Sequence, residues 1–125
     1  RLRLWSWLKM QKALVHSDYT PDEDVHLYLN AANAVVVPRV GELASGLVPL
    51  ALTFGTPCVA PNHGVIPEYL AGTDNPLYTS GDANSLARAL ETLGDADTDA
   101  LRTANRARGD TWRRRSIVRQ ILDVI

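Results

Sequence analysis

A chain of 125 residues, 46% hydrophobic and 22% charged, is long enough for one globular domain and too apolar for a disordered one. A formal net charge of -1 excludes a global field that gathers nucleic acid or anionic membrane. One cysteine, Cys58, excludes an intrachain disulfide and fits a reducing compartment, while no apolar run nears the roughly 20 residues of a membrane span.

Residues 1–12 carry two patterns at once: Leu2, Trp5 and Leu8 have helical spacing, and Leu4, Ser6 and Leu8 suit a strand. Ala13-Leu14-Val15 reads as a short strand running into His16-Ser17-Asp18-Tyr19. Thr20-Pro21-Asp22-Glu23 predicts a helix start, with Thr20 capping, Pro21 in the first helical position and Glu23 completing a capping box. Val25, Tyr28, Leu29 and Ala32 form its apolar face, and Asn33 ends it. The β-branched run Val35–Val37 predicts a buried strand. Pro38 to Ser45 is a loop with one acidic side chain, Glu42. Gly46 to Phe54 predicts a helix closed by Gly55, and Cys58-Val59-Ala60 a second buried strand.

Pro61-Asn62-His63-Gly64 is a turn-rich loop. Pro67 to Ala71 predicts one short helical piece closed by Gly72, with Glu68 supporting its N-terminus. Leu77-Tyr78-Thr79 is a third short strand. Asp82 is a cap for a helix whose core face is Leu86, Leu90 and Leu93. After an acidic break over residues 94–98, one or two helices follow, with Leu101 and Ala104 and then Val118, Ile121, Leu122 and Ile125 as their apolar positions. Strand-loop-helix units recurring from Ala13 to Leu93 predict an α/β fold, a Rossmann-like parallel sheet with helices on both faces. The chain reads as a single partial domain over residues 1–125. Residues 13–93 form its βα core and residues 99–125 its C-terminal helices.

A loop that leaves the carboxyl end of a parallel strand and enters a helix N-terminus is where α/β proteins bind ligands, often phosphates. The stretch Val35 to Ala60 has that form. The order of the landmarks resembles the second half of the C-terminal domain of GT-B glycosyltransferases, closest to the family 4 type that uses nucleotide-sugars. The resemblance rests on Thr20-Pro21-Asp22-Glu23-Asp24-Val25, Ala31 to Pro38, Glu42 with Ser45 to Ala60, Gly64 to Leu70, Leu77 to Leu90, and Trp112. It covers about Ala13 to Trp112.

That resemblance implies a retaining transfer of a glycosyl group from a nucleotide-sugar, with no metal. It implies a place for Glu42 near the donor sugar as the catalytic carboxylate. Ser45, Gly46 and Leu47 are implied to face the diphosphate through backbone amides, and Asp18 and Tyr19 to lie near the base. The second acid of the family's loop, which holds the ribose, is replaced here by Leu50. The family's arginine and lysine for the diphosphate have no counterpart, so the chain alone is expected not to turn over donor. The rest of a parent GT-B enzyme or a homodimer is the expected structural partner. The expected location is cytoplasmic, with contact at a membrane surface.

Plainer readings stand beside these. Glu42 and Asp18 also read as solvated loop residues, Ser45 and Gly46 as a helix cap only, and Cys58 as a buried small residue. His16, His26 and His63 share no metal spacing. Arg102, Arg106, Arg108, Arg113, Arg114, Arg115 and Arg119 read as a solvated helix face, or as a contact for anionic lipid or an acidic partner. A non-catalytic module of the same fold is the alternative function. A nucleic-acid-binding module is a further one, opposed by the net charge.

Overall fold

A computed structural model describes residues 13–38, 45–112 and 114–124. The helical and strand patterns of residues 1–12 lie outside the described residues. In chain order the elements are α1 (Asp22–Ala31), β1 (Val35–Val36), α2 (Leu47–Phe54), β2 (Cys58–Pro61), α3 (Ile66–Tyr69), β3 (Leu77–Tyr78), α4 (Ala83–Gly94), α5 (Thr98–Asp110) and α6 (Arg114–Val124). The strands pair in parallel in the order β1-β2-β3, with Val35 opposite Cys58, Val36 opposite Val59, Ala60 opposite Leu77 and Pro61 opposite Tyr78. This is the expected α/β architecture with a parallel sheet.

Side chains alternate across a strand, so β2 feeds two cores. Cys58 and Ala60 face a cluster with Val37, Val48, Ala51, Leu52, Ile66 and Leu70, which α2 and α3 close from one side. Val59 faces the other side, where Tyr78 and Ala89 bury it with Leu86 and Leu93 of α4. All four residues of β2 are buried, as a central strand covered on both faces requires.

Local signals set the helix boundaries. Gly55 ends α2 at φ 71°, a left-handed conformation that glycine adopts without strain, and its N–H returns to Leu52. Asp82 caps α4, its carboxylate accepting from the Ser85 N–H at 3.0 Å, and Asp97 caps α5 by accepting from the Ala100 N–H at 3.1 Å. The helix α1 starts one residue later than expected. Pro21 is its N-cap, and no side chain, Thr20 included, makes the predicted capping bond. Asp22, Glu23 and Asp24 in its first turn favour the helix through its dipole instead.

Two further expectations are corrected. Residues 13–15 form no strand; they are exposed and irregular, with Leu14 90% accessible. Among the described residues no neighbouring strand pairs with them, and an unpaired triplet leaves its backbone groups to water. Leu90 is not core: α4 turns Ala89 inward between Leu86 and Leu93, and Leu90 stays 42% exposed beside Asn33, Ala34, Pro57 and Thr98.

The helix α5 docks onto α2 through residues the apolar pattern does not mark. A buried amide network joins it to the sheet. The Asn105 side-chain amide donates to the Thr56 carbonyl at 3.0 Å and to Asn75 Oδ1 at 3.2 Å, and Asn105 Oδ1 accepts from the Asn75 amide at 2.6 Å. Asn75 Oδ1 also accepts from the Cys58 N–H at 2.9 Å, and the Asn75 amide donates to Thr73 Oγ1 at 2.7 Å. Gly109 lies so close to α2 that a β-carbon there would meet the Leu52 carbonyl at 2.9 Å.

Two of the arginines read as a solvated face are instead bonded to backbone. Arg102 donates to the Ala32 carbonyl at 3.1 Å, and Arg108 to the Glu68 and Tyr69 carbonyls at 2.6 and 3.0 Å. Both reach helix C-termini, where unpaired carbonyls favour a cation. Arg108 also lies 4.7 Å over the ring of Trp112, which follows α5 and meets Tyr69 edge-on. The apolar positions Ile117, Val118, Ile121 and Leu122 of α6 are exposed.

Cys58 is completely buried, and desolvation pushes its thiol from 9.0 up to about 12. The neutral thiol is therefore held in the fold after the unfolded chain has begun to ionise. Stability is complete below about pH 9 and falls as pH rises toward 12. Between pH 8 and pH 10 the chain is expected to lose about 1.4 kcal/mol from this group. Burial raises the Tyr78 phenol too, adding a loss of the same sign. Urea melts at the two pH values check this: Cys58→Ala shows the smaller loss, and identical losses in both proteins contradict it.

Candidate functional site

In a parallel sheet the connecting helices run back against the strands, so strand exits and the following helix starts gather at the carboxyl edge. Four segments meet there by topology: Pro38 after β1, Ser45-Gly46-Leu47 at the start of α2, Asn62-His63-Gly64 after β2, and Thr79 to Asp82 after β3. The start of α1, with Tyr19 and Asp22 before and in its first turn, belongs to the same edge by chain direction.

The start of α2 has no side-chain cap among the described residues. Of its first-turn N–H groups, that of Val48 donates to the Ser45 carbonyl at 3.4 Å, and those of Gly46 and Leu47 have no acceptor among the described residues. Gly46 is the N-cap, with φ -64°. Pro49, in the first turn, lacks an N–H that would have been unpaired there anyway. A β-carbon on Gly46 would meet none of the described residues within 4 Å, so the backbone there is open on their side. Ser45 is buried and Leu47 is partly exposed. Leu50 is half-buried one turn on, and its N–H donates to the Gly46 carbonyl at 3.3 Å.

The described residues among those the sequence predicts for the site fall in two places. Ser45, Gly46 and Leu47 sit together at the helix start. Asp18 and Tyr19 are exposed on the irregular segment before α1. The Tyr19 hydroxyl donates to Asp22 at 2.9 Å, and that bond with the Asp22 charge raises the phenol above its ordinary value. Glu42 lies outside the described residues. Among the described residues no group of three or more His, Cys, Asp or Glu could hold a metal ion. No helix among them is long and apolar enough to cross a membrane.

Tyr78 is the site-edge residue that sequence pattern passes over. It is buried on β3, and its hydroxyl donates to the Val37 carbonyl at 2.6 Å, where β1 leaves the sheet. Beside it lies a cleft of about 190 Å³ lined by Pro38, Tyr78, Gly81, Asp82, Ala83 and Leu86. The available signal was chemical: a phenol in a buried strand needs a partner for its hydroxyl.

Residues 3–95 match the family model described as glycosyl transferases group 1. No curated protein matches the chain.

Proposed function

The chain belongs to the group 1 glycosyl transferases, and from that premise we propose that it forms the nucleotide-sugar donor-binding portion of a retaining glycosyltransferase. The observation that carries this reading is the start of α2 at the carboxyl edge of the sheet, where among the described residues no side chain caps the helix and none fills the space over Gly46. The Gly46 and Leu47 N–H groups, without acceptors among the described residues, and the helix dipole favour a diphosphate there. Glu42, four residues before Gly46 in the sequence, is assigned to the donor sugar, and Asp18 and Tyr19 to the base side. Leu50 offers no hydrogen bond to a ribose diol, so recognition leans on the diphosphate.

The departing diphosphate needs cations for efficient transfer. Arg102 and Arg108 are committed to backbone carbonyls. The chain by itself is therefore expected to bind donor without turnover; UDP release from UDP-glucose above background, abolished by Glu42→Ala, sinks that expectation. A non-catalytic module of the same fold is the reading Leu50 favours.

Gly46→Val separates binding from folding. The backbone there is helical and the space open, so the melting temperature is expected to hold. UDP affinity measured by calorimetry is expected to fall at least about tenfold, or about 1.4 kcal/mol, because the side chain covers the amides. Equal affinity in the two proteins removes the helix start from the site.

A further inference from the structure

We propose that Tyr78 is a positioning residue for the donor site, supplying through its hydroxyl the hydrogen bond that Pro61 cannot give to the end of β1; this rests on the donor-binding reading. In a parallel ladder the bonds are evenly spaced, each carbonyl of one strand receiving an N–H two residues beyond the last acceptor. Val35 N–H donates to the Pro57 carbonyl at 2.8 Å, and Val37 N–H to the Val59 carbonyl at 2.9 Å. In the return series, from β2 N–H groups to β1 carbonyls, this register gives the Val37 carbonyl to the N–H of residue 61. Residue 61 is proline and has no N–H.

Proline is out of place in a central strand unless its lost bond is made good. Tyr78 stands opposite Pro61 in the β2–β3 register. From there its phenol reaches past β2 to the Val37 carbonyl at 2.6 Å. The last bond of β1 is therefore a side-chain bond from a strand that has no backbone pairing with β1. Val37 is followed at once by Pro38, at the end of β1 on the edge where α2 starts. A side-chain tie at this point fixes the backbone of Pro38 at the carboxyl edge, beside the start of α2. It also links it to the β3 exit, whose Gly81 and Asp82 line the same cleft as Pro38.

Amide hydrogen exchange on the 125-residue chain reads the tie without any ligand. In Tyr78→Phe the Val37 amide is expected to exchange up to about tenfold faster. Thr56→Val is the control. It deletes a buried hydroxyl-to-carbonyl bond of the same kind, from Thr56 Oγ1 to Leu29 at 2.8 Å, at the opposite edge of the sheet. It is expected to lower the melting temperature comparably and leave Val37 unchanged. Tyr78→Phe with Pro61→Val restores a backbone donor and is expected to restore the slow exchange. UDP affinity is expected to fall several-fold in Tyr78→Phe, to hold in Thr56→Val, and to return in the double variant. Unchanged exchange at Val37 in Tyr78→Phe overturns the inference, as does unchanged UDP affinity alongside faster exchange. Failure of the unsubstituted chain to bind UDP overturns the donor reading instead, and the exchange rates still decide the anchor.

Discussion

Replacing Asn105 with leucine is expected to lower the stability of the fold by about 3 kcal/mol, a drop of roughly 10–15 °C in melting temperature for a chain of this size. Leucine fills a similar volume, so the loss is one of hydrogen bonding and not of packing. The Thr56 carbonyl loses its donor from Asn105, and the Asn75 amide loses one of its two acceptors. Each buried group left unpaired costs about 1–3 kcal/mol, more than the added apolar burial returns. The same network holds the entry to β2, since Asn75 also receives the Cys58 N–H. Asn75→Leu and Asn105→Leu combined should cost less than the sum of the two, because they break shared bonds. A loss below about 1 kcal/mol in urea denaturation of the single variant contradicts the role given to the network.

Two helical glycines are expected to respond with opposite sign. In an open helix position, glycine to alanine raises stability by up to about 1 kcal/mol. Gly94, at the end of α4, has open space where a β-carbon would go, so Gly94→Ala should follow that rule. Gly109 does not. A β-carbon there lies 2.9 Å from the carbonyl carbon and oxygen of Leu52 and 3.0 Å from the Thr53 nitrogen. These are backbone atoms of α2, which cannot swing aside as a side chain does. Gly109→Ala is expected to destabilise despite its better propensity, and Gly109→Val to cost about 3 kcal/mol by forcing α5 off α2. A stabilising Gly109→Ala in urea melts contradicts the close approach of the two helices.

Sequence pattern disclosed what is local. The stop at Gly55, the Asp82 cap and the buried strand at Cys58 each announce themselves through neighbours in the chain, and the structure has all three; the run Val35–Val37 yields a strand only over Val35–Val36, half-exposed at the sheet edge instead of buried. The start of α2 with Ser45-Gly46-Leu47 was legible for the same reason. What stayed hidden depends on partners far along the chain. Ala13–Val15 has strand composition, yet strand composition without a paired neighbour makes no strand. Leu90 keeps helical spacing with Leu86 and Leu93 but points past the sheet that α4 covers. The Asn75–Asn105 pair spans thirty residues, the Tyr78–Val37 bond forty-one, and polar residues in core positions carry no periodic signal. Pro61 was visible as a turn signal. Its meaning as a gap in the ladder appears only once Tyr78 is seen to fill it.

The central claim is that the start of α2 is one wall of a nucleotide-sugar donor site. Titration of the isotopically labelled 125-residue chain with UDP and with GDP, followed by amide resonances, tests it most directly. Saturable shifts concentrated between Glu42 and Val48 are the predicted result. Absence of shifts with either nucleotide, or shifts that spare Gly46 and Leu47, contradicts it.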